Sequence, residues 1–193
     1  MSSAIPFREI EVPVYKKYKA VCFLASNVKN CQEIKENLIK ANKDYDYGFI
    51  NAKNVVSLEQ LYSGFYKTVM SQHDGNMKSR TLHTELIYSL SPFKNIMDCL
   101  NKFGISKDSN SILIVKIVES ETLNNDFIKT QQEHLKSIID GEFLDITDDS
   151  LQEITDIKAL EKNYKLKIRS TKLENNWPSI SRNLVSITQL KGL

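Results

Sequence analysis

Lys78 and Arg80 stand two residues apart, immediately upstream of the apolar run Glu85–Leu90. If that run is a strand, alternation places both cations on one face and Thr81 and His83 on the other. Further on, Asn95 has the character of a helix N-cap. Free N–H groups at the start of that helix, combined with nearby cations, would make a site suited to phosphate. The competing reading is two solvated bases at a strand end.

Other chemistries have less support. His73, His83 and His134 are far apart, and no pair has H-x-x-x-H spacing. His83 and Glu85 would share a strand face, but no third ligand accompanies them. Asp145–Asp149 resembles the start of a calcium loop, yet Ser150 stands where such a loop needs Gly and Asp156 where it needs a bidentate Glu. Asp148 or Asp149 is better read as a helix N-cap or first-turn acid. There is no G-x-S-x-G elbow, and no Ser/His/Asp or Cys/His set is implied by spacing. No two of the six glycines lie within three residues of each other, which excludes a G-x-G-x-x-G or Walker loop. The expectation is a protein without catalytic residues, metal or cofactor.

These residues must be positioned by a chain of 193 residues, long enough for one core. Its 26 Lys+Arg nearly balance 24 Asp+Glu, which excludes a strongly cationic nucleic-acid coat and a polybasic membrane binder. The charges are segregated: Asp140–Leu160 holds seven acids and one Lys, and Lys162–Leu193 seven bases and one Glu. Cys22, Cys31 and Cys99 are odd in number and lack C-x-x-C spacing, so buried thiols in a reducing compartment are expected, cytoplasm or nucleus. Met1–Glu9 has no charged segment followed by an apolar stretch, so no secretory signal is expected. The longest apolar run, Ile112–Val118, is too short to span a bilayer.

Apolar patterning predicts strands at Tyr18–Ala25, Tyr47–Asn51, Glu85–Leu90, Ser111–Val118 and Glu142–Ile146. It predicts helices at Val28–Lys40, from Ser57 to about Ser71, from Asn95 to a Gly104 stop, at Asn125–Ile139, Leu151–Tyr164 and Pro178–Leu190. Ser57 with Gln60 three residues on reads as a capping box. The elements interleave without a linker. The fold class expected is α+β: a single domain over 1–193, with a mainly antiparallel central sheet flanked by helices. A parallel α/β sheet is the second choice.

Met77-Lys78-Ser79-Arg80-Thr81-Leu82-His83-Thr84-Glu85-Leu86-Ile87, Leu90-Ser91-Pro92, Asn95-Ile96 and Leu100–Ile105 closely resemble, in order and spacing, the PRPK-binding protein family. That family is the kinase-binding subunit of the EKC/KEOPS complex. Tyr62, Tyr66-Lys67, Lys162-Tyr164-Lys165-Leu166 and the ending Gln189–Leu193 look like its fungal branch. The resemblance implies a non-catalytic α+β subunit that binds the complex's atypical kinase directly and its threonylcarbamoyl-transferase indirectly. It implies a part in the threonylcarbamoyladenosine modification of tRNA, a fungal link to telomere maintenance, and a place in nucleus and cytoplasm. It further implies contact with the tRNA 3′ end, with Lys78, Arg80 and Asn95 as contacts. Asn76 replaces a basic residue common in the family, and Lys94 could supply the missing charge.

For the kinase, the last helix offers Leu184, Ile187 and Leu190, followed by Lys191, Gly192 and Leu193. An interface needs apolar anchors with a polar rim. The same apolar residues could instead pack the helix onto the sheet. Trp177, ahead of Pro178, is expected to staple that helix to its neighbours.

Overall fold

The computed structural model describes residues 4–167 and 176–192. Five strands form one antiparallel sheet: β1 (Arg8–Glu11), β2 (Tyr18–Ser26), β3 (Gly48–Asn51), β4 (Ile112–Glu119) and β5 (Glu142–Leu144). The order is β1-β2-β4-β3. β5 continues the β1 edge, because β1 pairs with Lys19–Cys22 and β5 with Leu24–Ser26, while β4 runs along the other side of β2. β2 and β4 are central, which is why their sequences are almost unbroken apolar runs.

Eight helices are described: α1 (Cys31–Ile39), α2 (Leu58–His73), α3 (Leu82–Leu90), α4 (Ile96–Phe103), α5 (Asn125–Ile138), α6 (Asp148–Ile154), α7 (Ile157–Tyr164) and α8 (Trp177–Leu190). Alternation along β2 divides the interior in two. Ala20, Cys22 and Leu24 face one core with Leu61 and Phe65 of α2, Leu86 and Leu90 of α3, and Leu184 of α8. Val21, Phe23 and Ala25 face the other, with Ile34 of α1 and Ile128 and Leu135 of α5. The molecule is a sheet between two helical layers, so the α+β, mainly antiparallel expectation holds and the parallel alternative does not. All three cysteines are buried and none is in a disulfide; burial pushes the Cys22 thiol up to about 12.

Several expectations need correction. Glu85–Leu90 is not a strand; it belongs to α3, capped by Thr81, whose hydroxyl accepts from Thr84 N. Leu82, Leu86 and Leu90 lie four apart, and the last two are fully buried. That pattern places them on one helical face. Leu151–Tyr164 is two helices, α6 and α7. The chain is extended at Thr155 and Asp156, and the Asp156 side chain caps α7 at Ala159 N. The edge strand β1, charged on its exposed positions, had no apolar signal.

Ser57 caps α2, but the Gln60 side chain does not return to the cap. It accepts from Val56 N and donates to Asn54 O and the Tyr164 hydroxyl. Gly104 ends α4 in extended rather than left-handed backbone; a Cβ there would lie 2.5 Å from Leu100 O. Asp148 is a first-turn acid of α6, where Thr147 is the cap, and its Oδ1 also accepts from Leu58 N, the first residue of α2. Trp177 packs partly buried against the core.

Candidate functional site

The loop that carries Lys78 and Arg80 is built on Glu85. This carboxylate sits on α3, 1% exposed, and one of its oxygens accepts from Lys78 N at 2.9 Å, Ser79 N at 2.8 Å and Ser79 Oγ at 2.8 Å. Ser79 Oγ also lies 3.0 Å from Thr81 O, but its single proton is directed to the nearer, charged carboxylate. A buried carboxylate is stable only when it is this well supplied with donors. The motif therefore shapes a turn ahead of a helix, not one face of a strand. Lys78 and Arg80 are exposed, and among the described residues neither side chain is paired with a carboxylate. Lys94 and Asn95 are exposed as well. Asn95 caps α4, and its Oδ1 accepts from Met97 N and Asp98 N. Those two N–H groups are thereby taken, so the start of α4 does not offer them to an anion.

His83 has no freedom to act as a base. Its Nε2 accepts from Ile117 N at 3.0 Å, since a backbone N–H can only donate. The ring proton therefore sits on Nδ1, facing Asp46 Oδ1 at 3.2 Å. Lys116 also bonds Asp46 Oδ2 at 2.8 Å. The His83 bond first, then Lys116, hold the Asp46 carboxyl well below the usual carboxylate range. His83 lies in the wall of a groove of about 400 Å³ along the β3 edge, lined largely by apolar side chains such as Leu38, Phe49, Ile87 and Met97. No nucleophile is poised there with a free base. Among the described residues no three His, Cys, Asp or Glu side chains converge so as to hold a metal ion, and no helix is long and apolar enough to cross a membrane.

The second surface is made by α2 and α8, which run side by side in the same direction. Ser57 meets Ser181, Ser63 meets Gln189, and Lys67 meets the end of α8. The Gln189 amide donates to both Ser63 O and Ser63 Oγ. Tyr62 and Leu190, the chain neighbours of Ser63 and Gln189, are 42% and 63% exposed. Large exposed apolar groups on adjoining helices are what an interface core requires. Ser181 Oγ also donates to Glu59, so the same face has a polar margin.

The residues expected to hold the kinase separate into different roles. Leu184 is fully buried and belongs to the core, as its 3.6-residue alignment with Ile180 and Thr188 dictates. Ile187 is half-buried against that core. Leu190 and Gly192 are exposed. Lys191 is turned inward, with its ammonium on Tyr88 O and Ser91 O. Leu193 lies outside the described residues. The roles of Glu85 and Lys67 were not read from the sequence, where a charged side chain signals solvent; these positions were marked only by lying in the strings that resemble the PRPK-binding family.

A sequence profile of the kinase binding protein CGI-121 family matches residues 25–192. The chain belongs to this family. Fungal relatives agree. A Debaryomyces hansenii protein named EKC/KEOPS complex subunit CGI121 is 32% identical, covering 96% of this chain and 98% of its own. Its Schizosaccharomyces pombe counterpart of the same name is 35% identical over 88% of this chain and 93% of its own. The Eremothecium gossypii subunit is 34% identical over 94% and 97%. The CGI-121 match takes in both the Lys78/Arg80 loop and the α2–α8 pair.

Proposed function

We propose that this protein is a non-catalytic subunit of the EKC/KEOPS complex that binds and modulates the atypical kinase of that complex. It works there in support of tRNA threonylcarbamoyladenosine modification and, in fungi, of telomere maintenance, in nucleus and cytoplasm. The observation that carries the reading is the CGI-121 family match, which extends through α8 to residue 192. Tyr62 on α2 and Leu190 on α8, both large, apolar and exposed, support the α2–α8 surface as the docking face. The reading needs no metal, cofactor or membrane. Co-expression with the kinase tests it: the two should co-purify, and removing Gln189–Leu193 should lose the kinase. Kinase retained after that deletion would refute the role of the α8 end.

A second reading has its own support. Lys78 and Arg80, exposed and, among the described residues, without a carboxylate partner, stand on a turn tied down by Glu85 and suit phosphate contacts to tRNA, with Lys94 and Asn95 also exposed. The protein would then also recruit the tRNA 3′ end. Titration with tRNA at several salt concentrations tests this, and an affinity insensitive to Lys78→Ala/Arg80→Ala would end it.

A further inference from the structure

Three strings from distant parts of the chain, Tyr66-Lys67, Leu90-Ser91-Pro92 and Gln189–Lys191, meet at one place. Lys67 is buried on α2, and its ammonium donates to Thr188 O at 2.5 Å, Gln189 O at 3.1 Å and Lys191 O at 2.7 Å. An ammonium has three protons, and each has a carbonyl here. The acceptors lie at the C-terminal end of α8, where carbonyls have no intrahelical partner and a cation is favoured by the helix dipole. Lys191 repeats the arrangement one helix away. Its ammonium donates to Tyr88 O and to Ser91 O at 2.9 Å, at the end of α3, and sits 3.3 Å from the centre of the Tyr88 ring. The last turn of α8 is thus clamped from α2 and in turn clamps α3.

An apolar side chain at either position would join these helices without desolvating an ammonium. What the lysines add is direction: they fix backbone carbonyls, and so the orientation of residues 188–191. We infer that Lys67 and Lys191 are positioning residues, which set the terminal turn of α8, and Leu190 with it, in the geometry that docks the kinase. The inference rests on the α2–α8 surface being the docking face. Burial pushes both ammonium groups down, Lys191 to about 8, in keeping with lysines held out of water.

The test uses the full chain and the purified kinase of the complex in titration calorimetry, with thermal unfolding and amide exchange on the same samples. Lys67→Met should weaken kinase binding by about ten-fold or more and speed exchange across residues 184–192. Lys67→Arg, which keeps the charge and the donors, should recover part of the loss. Ile34→Ala, in the opposite core, should lower the melting temperature as much while leaving affinity within about two-fold. Leu190→Glu reports on the surface itself. If Leu190→Glu loses the kinase and Lys67→Met does not, the clamp is overturned and the docking face stands. If Lys67→Met loses the kinase and Leu190→Glu does not, the docking face is refuted and the positioning role with it. Should Lys67→Met not fold, Lys191→Met, which removes two bonds instead of three, is judged by the same criteria.

Discussion

Replacing Glu85 by Ala removes the acceptor for three donors at once: Lys78 N, Ser79 N and Ser79 Oγ, all within 2.9 Å. A hydrogen bond to a charged group contributes about 1.5–3 kcal/mol. Three would sum to more than is lost, because the loop lies at the surface and water can reach its N–H groups once the carboxylate has gone. The side chain itself is 1% exposed, so part of its desolvation cost is also relieved. We expect a net loss of about 2–4 kcal/mol. Glu85→Gln keeps the shape and one carbonyl oxygen but not the charge, and should lose roughly half as much. Urea unfolding measures this. With a slope of roughly 2 kcal/mol per M for a chain of this size, Glu85→Ala should move the midpoint down by about 1–2 M. Amide exchange at Lys78 and Ser79 should rise to rates typical of open loops. A midpoint shift below about 0.3 M, with Lys78 and Ser79 still protected, would refute the claim that Glu85 builds this turn.

Other consequences are simpler to check. Burial pushes the Lys191 ammonium down to about 8 in the folded protein, against about 10.4 for an unfolded chain. Between those values the unfolded state binds more protons at this group, so Lys191 contributes a rise in stability from about pH 8 to 10, of about 1–2 kcal/mol after allowing for solvent screening, while the thiols of Cys22, Cys31 and Cys99, pushed up by burial, hold more protons folded than unfolded above about 8.5 and contribute a fall. Chemical denaturation of wild type and Lys191→Met across that range should show the stability difference between them moving in favour of wild type as pH rises, and a difference independent of pH would contradict the buried ammonium. Gly64→Ala on α2 should destabilise by about 1–3 kcal/mol, because the added Cβ would lie 2.5 Å from Leu90 Cδ2 on α3; an unchanged melting temperature would contradict the close α2–α3 approach. Lys78→Ala/Arg80→Ala should weaken tRNA binding and reduce the salt slope by about 1.5, with unfolding unaffected.

What the sequence disclosed follows from how each element is stabilised. β2 and β4 are buried on both faces, so their apolar runs announced them. α2 and α4 carried side-chain caps at Ser57 and Asn95, and both caps form. α3 was misread because Leu86-Ile87-Tyr88 is short, apolar and followed by Pro92, which suits a strand equally well. The four-residue spacing of Leu82, Leu86 and Leu90 was the signal that separated the two. β1 is an edge strand with one buried residue, Ile10, and leaves almost no pattern. The site was less legible than the fold. Lys78, Arg80 and Leu190 are exposed as their types suggest, whereas Leu184 and Lys191 are turned inward. Nothing local tells a lysine that caps a distant helix from a lysine in water; that depends on which C-terminus tertiary packing brings to it.

The docking claim is tested most directly by the dissociation constant of the kinase for wild type, Leu190→Glu and Lys78→Ala/Arg80→Ala, measured in one buffer. A charge placed at the centre of an apolar contact should weaken binding by about 100-fold or more, while the double variant should stay within about two-fold. Full affinity in Leu190→Glu, with loss in the double variant, would place the kinase on the basic loop and contradict the account.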